Sequence, residues 1–250
     1  MSSAIVGAFE SQPPFFYCRL TAWSGREMDQ YRDLFPLFEG IAGHFAEHVP
    51  DRHAIQMGFV NKTHPDWRIG DTPFTTVTVN NTYPTGVHTD AGDLEEGFST
   101  LAVLKKGSYS GGRLVFPEFR VAADMGHGDV LLMDAHEWHG NTALQLNDPL
   151  CWMCEKKATV EIEATTPLVA RPSWRPVCAD HAKAIETAEH ITIHAKRPVV
   201  PAERISVVCY FRTKMTGCGS FEEESAKALA KVEGDHKGVL QEMAEEAVGA

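Results

Sequence analysis

Residues 74–93, FTTVTVNNTYPTGVHTDAGD, join a strand-like segment to two side chains of the kind that bind metal ions. The β-branched residues of 74–80 predict a β-strand. His88 and Asp90 lie two positions apart, so an extended chain would place both side chains on one face. An imidazole and a carboxylate are two of the three ligands in a two-histidine, one-carboxylate site, which suits ferrous iron with open coordination positions. The stretch therefore predicts an iron site at the end of a strand.

The third ligand is expected in residues 125–142, MGHGDVLLMDAHEWHGNT, where a turn and an apolar strand lead to two histidines. We favour His139, because Gly140 follows it and a small residue lets the chain turn away beside a metal ion. His136 is the alternative. An isolated His-x-Asp pair carries little information, so the assignment depends on what else the sequence provides.

The segment RISVVCYFR (204–212) gives further support for this site, because it places an arginine at the start of an otherwise apolar strand. A buried arginine needs a matching negative charge. A cosubstrate with two carboxylates would supply it, because guanidinium binds a carboxylate through two hydrogen bonds. Ser206, on the same face as Arg204, can add a hydroxyl. A β-sandwich with a buried salt bridge is the alternative explanation for this set of residues.

Short segments rich in β-branched and aromatic residues recur along the chain, separated by Gly, Pro, Asp and Asn. They comprise 74–80, 99–104, 113–119, 129–134, 159–164, 190–195 and 204–212. Strands of this kind predict a mainly β fold with flanking helices, a jelly roll or double-sheet barrel. We expect a single domain over 1–250, with a helical N-terminal part at about 1–70, a β core at about 71–145 and 204–215, an insert at about 146–203 and an acidic C-terminal helix at about 221–248.

The composition excludes several classes of protein. The chain has 250 residues, 43% of them hydrophobic and 23% charged, which excludes collagen-like, coiled-coil and wholly disordered proteins. A net charge of −11 argues against broad, sequence-blind binding to nucleic acid, which depends on neutralising phosphates. No apolar run is long enough to span a bilayer and the N-terminus lacks secretory features, so we expect an intracellular protein without a membrane partner. The six cysteines are then expected to be reduced thiols or metal ligands and not disulfides.

Four soft ligands lie in the insert, as Cys151-x-x-Cys154 and Cys178-x-x-His181. Two pairs at this spacing predict a tetrahedral structural zinc site. A metal-stapled insert is physically reasonable, because 165–176 has little core-forming pattern. The alternative is four unrelated side chains, with the cysteines acting as small buried hydrophobic residues.

From about residue 74 to residue 215 the sequence resembles the TET/JBP group of Fe(II)- and 2-oxoglutarate-dependent dioxygenases, which oxidise the methyl group of 5-methylpyrimidines in DNA. The matching stretches are TVTVNNTYPTGVHTDAGDLEEGF, GGRLVFPEFRVAADMGHGDVLLMDAHEWHGNT and RISVVCYFRTKM. They are most similar to short viral, phage and algal-type members. The resemblance implies a double-stranded β-helix, the jelly roll of the 2-oxoglutarate oxygenases.

The resemblance also implies roles for individual residues. The three candidate iron ligands become the catalytic centre, with 2-oxoglutarate and O₂ as cosubstrates and a flipped base beside them. Asn80 or Asn81 would help to hold 2-oxoglutarate where some relatives carry an arginine before the first histidine. The full set is His88, Asp90 and His139 for iron and catalysis, Arg204, Ser206 and Asn80 for 2-oxoglutarate, and Asp93, Tyr210 and Arg212 for the base.

The acidic residue Asp93 determines which base we expect. An ionised carboxylate only accepts hydrogen bonds, and the amino group of 5-methylcytosine is a donor, whereas thymine flanks its N3–H with two carbonyl oxygens. We therefore expect an enzyme that converts 5-methylcytosine in DNA to 5-hydroxymethylcytosine. Whether it oxidises the product further is left open. We also expect the enzyme to be a monomer. The alternatives are a thymine hydroxylase of the JBP type, a 2-oxoglutarate oxygenase for a substrate other than nucleic acid, and a cupin-like binding module without catalysis.

Overall fold

The computed structural model describes residues 1–107, 109–146, 149–167, 169–199 and 202–248, without the side chains of 169–171, 173 and 235–248. Its helices are α1 (Ala22–Arg26), α2 (Met28–Asp33), α3 (Phe35–His48), α4 (Pro50–Lys62), α5 (Ala179–Glu186) and α6 (Phe221–Val248), with short 3-10 helices at Pro65–Trp67 and Thr213–Gly217. Its strands are β1 (Ser2–Phe9), β2 (Arg19–Leu20), β3 (Thr76–Asn81), β4 (Ser99–Lys106), β5 (Tyr109–Gly111), β6 (Leu114–Phe116), β7 (Val121–Ala123), β8 (Val130–Met133), β9 (Gly140–Asn141), β10 (Leu144–Leu146), β11 (Val160–Thr166), β12 (Val169–Val177), β13 (Thr192–Pro198) and β14 (Glu203–Tyr210). None of the described helices is long and apolar enough to cross a membrane.

The largest sheet joins strands from both ends of the chain to strands from its middle. Within the described residues its order is β2-β1-β3-β14-β4-β8, and each neighbouring pair is antiparallel. Successive side chains of a strand point to opposite faces. Val207 and Cys209 of β14 therefore pack on one side of the sheet, and Val208 packs on the other.

Helix α3 covers one face of this sheet. Phe38, Ile41 and Phe45 recur at helical spacing and are buried in one cluster with Val77 of β3. Pro36 lies in the first turn of α3, where a backbone N–H would have no partner within the helix. The opposite face of the sheet is left for the candidate site.

That opposite face packs against a smaller sheet. Leu101 and Val103 of β4 share an apolar cluster with Leu114 and Phe116 of β6, and β6 lies between β7 and β9. Two antiparallel sheets that face each other across an apolar core form the predicted jelly roll. Strands β5 and β10 form a separate pair. His139 immediately precedes β9, so the third candidate ligand lies at the edge of the smaller sheet.

The insert has a small core of its own. Strands β12-β11-β13 form an antiparallel sheet, and Ile162, Val177 and Ile185 are buried together with Cys151 and Cys178. Strand β12 covers much of the stretch 165–176, which has little core-forming pattern, because pairing with β11 orders it. Residues 147, 148, 168, 200 and 201 of the predicted insert lie outside the described residues.

The beginning of the chain is a strand, β1, which corrects the prediction of a helical N-terminal part at about 1–70. Strand β1 pairs with β3, from Ser2 opposite Asn81 to Gly7 opposite Thr76. Gly7 has a φ of +96°, and a Cβ at this position would lie 2.5 Å from the carbonyl oxygen of Thr75. The partner strand is far along the chain, so the local sequence gives little sign of the pairing.

Cys18 and Cys218 form a disulfide, contrary to the expectation that all the cysteines are reduced or bind metal. The bond links the segment before α1 to the segment before α6, two positions 200 residues apart. Both cysteines are buried in a cluster that includes Trp67 and Phe211. No local motif marks a pair this distant, which is why the sequence did not indicate it. The free cysteines are Cys151, Cys154, Cys178 and Cys209.

Candidate active site

Two backbone hydrogen bonds bring the candidate histidines together. The N–H of His88 donates to the carbonyl of His139 over 2.8 Å, and the N–H of His139 donates back over 2.9 Å. The N–H of Asp90 donates over 2.9 Å to a carbonyl of the segment that precedes His139. Gly140 permits this close approach, because a Cβ there would lie 2.8 Å from the Gly86 carbonyl oxygen. The small residue after His139 thus has a steric role in bringing the two segments together.

The three side chains form a compact cluster, which we call the triad. Oδ1 of Asp90 lies 3.4 Å from Nε2 of His88, and Oδ2 lies 3.9 Å from Nε2 of His139. The Nδ1–H of His88 donates to the Gly86 carbonyl and that of His139 donates to the Glu137 carbonyl, each over 2.8 Å. These bonds orient the rings and leave both Nε2 atoms available as ligands. Two imidazoles and one carboxylate suit a divalent transition metal such as iron(II).

The alternative third ligand, His136, lies outside this cluster. Its Nδ1 is 2.8 Å from Oδ1 of Asp134, and its side chain is partly exposed. The group of ligand atoms close enough to share one ion contains His139 instead. The side chain of His139 is only 5% exposed, so the geometry favours His139 over His136.

A cavity of about 190 Å³ lies beside the triad. Strands β3, β4 and β14 contribute one part of its wall, and residues of the smaller sheet contribute another. Eight of the nine predicted iron, cosubstrate and base residues line it, with Arg204 the exception. The lining comprises Ser3, Thr78, Asn80, Tyr83, Thr85, His88, Asp90, Ala91, Asp93, Leu101, Leu114, Met133, His139, Asn141, Ser206, Val208, Tyr210 and Arg212.

Strands β3 and β14 carry the candidate contacts to 2-oxoglutarate. Ser206 lies directly opposite Asn80 in the strand register, and both line the cavity. Asn81, the alternative to Asn80, donates its side-chain amide to Glu203 over 2.5 Å. Of these two asparagines, Asn80 is therefore the one placed to contact a ligand in the cavity.

Arg204 lies two positions before Ser206 on β14. It is 5% exposed, and its buried Nη2 has no hydrogen-bond partner among the described residues. Burial lowers the pKa of its guanidinium, and the neighbouring Tyr109 opposes this shift. The hydroxyl of Tyr109, a residue that the sequence did not indicate, is also buried, and it has no partner at hydrogen-bond distance among the described residues. Buried donors that lack acceptors fit the carboxylate of an acid such as 2-oxoglutarate, which would satisfy them.

Asp93 and Arg212 meet across a backbone bridge beside the cavity. Nη1 of Arg212 lies 4.0 Å from Oδ1 of Asp93, and the hydroxyl of Ser99 donates to Oδ2 over 3.1 Å. The pKa of the Asp93 carboxyl is raised to about 7, chiefly by burial and also by the nearby charge of Asp90. The prediction of 5-methylcytosine as the base assumed that this carboxyl is ionised. The raised pKa means that near neutral pH it can also donate a hydrogen bond.

Glu10, which the sequence analysis did not identify, holds Arg212 in place. Its carboxylate accepts from Nε over 2.9 Å and from Nη2 over 2.5 Å. Burial is the largest single influence and by itself would raise the pKa of Glu10, but the hydrogen bonds and charge of Arg212, together with a backbone hydrogen bond and the charge of Lys214, lower that pKa overall. The arrangement directs Nη1 of Arg212 towards Asp93. The two residues are 202 positions apart in sequence, so no motif connects them.

Tyr210 forms part of the cavity wall. It is buried, and its hydroxyl shares a hydrogen bond of 3.1 Å with the hydroxyl of Thr78 on β3. Burial raises the pKa of this phenol to about 12, so it is neutral at physiological pH. The contacts fix the ring in the wall, and its stacking against a base stays a prediction.

Residues 10–163 match the sequence model of the Tet/JBP family, described as the oxygenase domain of the 2OGFeDO superfamily. This chain belongs to the Tet/JBP family. Membership confirms the predicted family and the assignment to the Fe(II)- and 2-oxoglutarate-dependent oxygenases. The matched region contains the triad but ends before β14, so the roles of Arg204 and Ser206 depend on the geometry above.

Among curated Tet/JBP relatives, the chain is 36% identical over 150 residues to thymine dioxygenase JBP1 of Trypanosoma brucei brucei, an alignment that covers 59% of this chain and 17% of that protein. It is 33% identical over 150 residues to thymine dioxygenase JBP1 of Crithidia fasciculata, with 59% and 18% covered. The matched region thus spans less than a fifth of the length of these relatives.

A solved structure described as NgTET1 in complex with 5mC DNA superposes on the chain with a TM-score of 0.54 at 11% sequence identity. The superposition covers 92% of this chain and 69% of that one. At this identity the likeness concerns the fold alone, and it confirms the predicted jelly-roll oxygenase fold.

Proposed function

We propose that this chain is an Fe(II)- and 2-oxoglutarate-dependent dioxygenase that hydroxylates the methyl group of a 5-methylpyrimidine in DNA. The observation that supports it most is one cavity lined by the triad, by Asn80 and Ser206, and by the pair Asp93 and Arg212. Metal, cosubstrate and methyl group must lie beside one another for such a reaction. The names of the curated relatives, thymine dioxygenases, support DNA methylpyrimidines as the substrate class.

The residues that line the cavity, together with the buried Arg204, would each have a separate role in this reaction. The triad would hold iron(II) through two Nε2 atoms and one carboxylate. When bound, the iron with 2-oxoglutarate and O₂ supplies the oxidant that places one oxygen atom in a methyl C–H bond, as 2-oxoglutarate becomes succinate and CO₂. Arg204 would bind the distal carboxylate of 2-oxoglutarate, while Ser206 and Asn80 orient it. Leu114 and Met133 are among the apolar residues that line the cavity, and an apolar lining strengthens charged contacts.

Access to the cavity requires that a base leave the duplex. A methyl group inside a stacked helix cannot reach the triad, so a DNA substrate would be flipped out. The loops that carry the triad bear exposed side chains, among them Tyr83, Val87 and Trp138. These would meet the DNA strand around the flipped base.

We propose 5-methylcytosine as the base. In its ionised form Asp93 would accept from the exocyclic amino group, and Arg212 would donate to the neighbouring ring nitrogen or carbonyl oxygen. A cation bound at Asp90 favours that ionised form, because it cancels the negative charge that helps to raise the pKa of Asp93.

Thymine is the second candidate, because the curated relatives at 33–36% identity carry the name thymine dioxygenase. A protonated Asp93 could accept from N3–H and donate to a carbonyl of this base. The raised pKa of Asp93 makes that form accessible near neutral pH.

Nucleoside mass spectrometry tests the function. The protein is incubated with iron(II), ascorbate and 2-oxoglutarate, and with DNA that contains either 5-methylcytosine or only unmodified bases. We expect 5-hydroxymethylcytosine from the first DNA and no product from His139→Ala protein. Oxidised thymine from the second DNA would identify the alternative base. Iron-dependent succinate release without any modified nucleoside would instead indicate a substrate other than DNA, and the absence of succinate would contradict an oxygenase.

Replacing Asp93 tests how the base is recognised. Asp93→Ala is expected to lose most of the activity, since it removes a buried acceptor with a typical cost of about 1–3 kcal/mol, or roughly 5- to 150-fold. Asp93→Asn should lose less or relax the preference, because an amide both donates and accepts. A competition assay with oligonucleotides that differ in one 5-methylcytosine or thymine measures this. Ser99→Ala serves as the control that removes one hydrogen bond to Asp93 and leaves the carboxyl and its contact with Arg212 in place. Equal or better turnover of thymine by the unmodified protein would contradict the preference for 5-methylcytosine.

A further inference from the structure

Two separate parts of the insert present sulfur and nitrogen ligands to each other. Cys151 and Cys154 lie in a tight hairpin before β11, in which the N–H of Cys151 donates to the Lys156 carbonyl over 2.8 Å and the N–H of Cys154 donates to the Cys151 carbonyl over 3.2 Å. Cys178 is the residue before α5, and His181 lies in the first turn of that helix. The hairpin and the helix therefore meet at four potential ligands.

The distances between these ligand atoms match those around a single zinc ion. Nδ1 of His181 lies 3.3 Å from Sγ of Cys151 and 3.4 Å from Sγ of Cys178, and Sγ of Cys154 lies 3.8 Å from Sγ of Cys178. Tetrahedral zinc with bonds of about 2.3 Å to sulfur and about 2.0 Å to nitrogen requires about 3.8 Å between sulfurs and about 3.5 Å between sulfur and nitrogen. All four ligand atoms lie within 4.8 Å of one another.

Hydrogen bonding alone does not explain this arrangement. Nδ1 of a neutral imidazole has one lone pair or one proton, so it can make only one well-directed hydrogen bond. Here two sulfurs approach the same nitrogen at nearly equal distances. A cation at the centre satisfies both contacts at once. Thiolate sulfur with imidazole nitrogen favours zinc, whereas the carboxylate-containing triad favours iron(II).

We propose that Cys151, Cys154, Cys178 and His181 bind one structural zinc ion that ties the hairpin to α5 across the insert sheet. The buried apolar core of the insert is small, and two of its members, Cys151 and Cys178, are themselves ligands. A core of this size gives limited stability by itself. Metal binding would supply part of the folding free energy of the insert. All four coordination positions are taken by protein ligands, as in a structural and not a catalytic zinc site.

Metal analysis of the full-length protein tests the proposal. The protein is purified with thiols protected and treated with a mild chelator to strip metal from the partly exposed triad, and zinc is then measured by mass spectrometry. We expect about one zinc ion per chain, with most of it lost in Cys151→Ser, Cys178→Ser and His181→Ala proteins. Cys209→Ser, which changes a free cysteine of the main core, and His190→Ala, which changes an exposed histidine of the insert, should retain the zinc.

A measurement on the unmodified protein keeps the test decisive if the ligand variants fail to fold. Cobalt(II) exchanged into the site should give the thiolate charge-transfer band and the strong visible bands of tetrahedral coordination. A protein that holds no zinc and gives no such spectrum overturns the proposal. So does peptide mapping that finds Cys154 and Cys178 joined by a disulfide, with the Cys18–Cys218 bond as the positive control. Zinc retained in all the ligand variants would equally place the ion elsewhere.

Removal of the zinc should open the insert selectively. A strong chelator is expected to increase protease cleavage within 149–199, because the hairpin and α5 are then no longer tied together. Cleavage in the main sheet should not change, since its core is separate from that of the insert. His88→Ala protein, which alters only the triad, is the matched control. Without chelator it should resist cleavage as well as the unmodified protein does, because its zinc site is intact. Loss of zinc without any change in cleavage would refute the structural role.

Discussion

His139→Ala protein is expected to show no detectable succinate release or nucleoside oxidation, while it keeps its fold. Loss of a group that only orients a ligand typically costs 10- to 100-fold in metal affinity or activity, so loss of a ligand itself should exceed about 100-fold. His88→Ala and Asp90→Ala should behave alike, because all three side chains converge on one point. The backbone bonds between His88 and His139 do not depend on the side chains, so circular dichroism and thermal melting should change little.

The matched control is His136→Ala, which removes the other histidine of the same segment. His136 pairs with Asp134 and lies outside the triad, so this variant should bind iron and retain most turnover. Active His139→Ala protein together with inactive His136→Ala protein would show that the third ligand is His136. Full activity in both variants would refute a metal site at this position.

The parts of the fold that the sequence predicted depend on short-range patterns. The β-branched segment 74–80 and the apolar segment 204–212 became β3 and β14, because alternation along a strand is visible locally. The spacing of His88 and Asp90 and the glycine after His139 likewise carry their information within a few residues. These elements brought most of the candidate site into one cavity.

The features that the sequence did not reveal depend on contacts between distant residues. Strand β1 is ordered by β3, from Ser2 opposite Asn81, and Cys18 pairs with Cys218. Glu10 holds Arg212 in the same way, across 202 positions. The sequence around Glu10 does not distinguish it from an acidic residue on the surface, and the sequence around Cys18 does not distinguish it from a free buried cysteine. The pKa of Asp93 also depends on burial and on Asp90, neither of which can be obtained from its type alone.

Arg204 shows both a feature that the local sequence predicts and a feature that only the structure reveals. Its place at the start of an apolar strand predicted burial and a need for a negative charge. The structure buries it, but it leaves Nη2 without a partner among the described residues. A buried cation without a partner destabilises a folded protein, so the ligand that satisfies it contributes both binding and stability. Replacing Arg204 should therefore weaken the binding of 2-oxoglutarate and at the same time stabilise the ligand-free protein.

Arg204→Met is expected to raise the 2-oxoglutarate concentration needed for half-maximal succinate release by about 100- to 4000-fold, from the roughly 3–5 kcal/mol lost when one partner of a buried ion pair is removed. The same substitution should raise the melting temperature of the ligand-free protein, because methionine is apolar and fits a buried position without an unpaired charge. The stabilisation that 2-oxoglutarate gives to the unmodified protein should be largely lost in the variant.

Arg113→Met is the matched control for the Arg204 experiment, because Arg113 is exposed and pairs only with the exposed Asp124 among the charged groups described. It should leave both the 2-oxoglutarate requirement and the melting temperature nearly unchanged. A structural role for Arg204 predicts the reverse of our result, a less stable Arg204→Met protein with an unaltered requirement for 2-oxoglutarate. Arg204→Lys separates charge from geometry, since an ammonium keeps the charge but lacks the planar two-donor face. An intermediate requirement for 2-oxoglutarate in the lysine variant is therefore expected if Arg204 binds a carboxylate through both nitrogens.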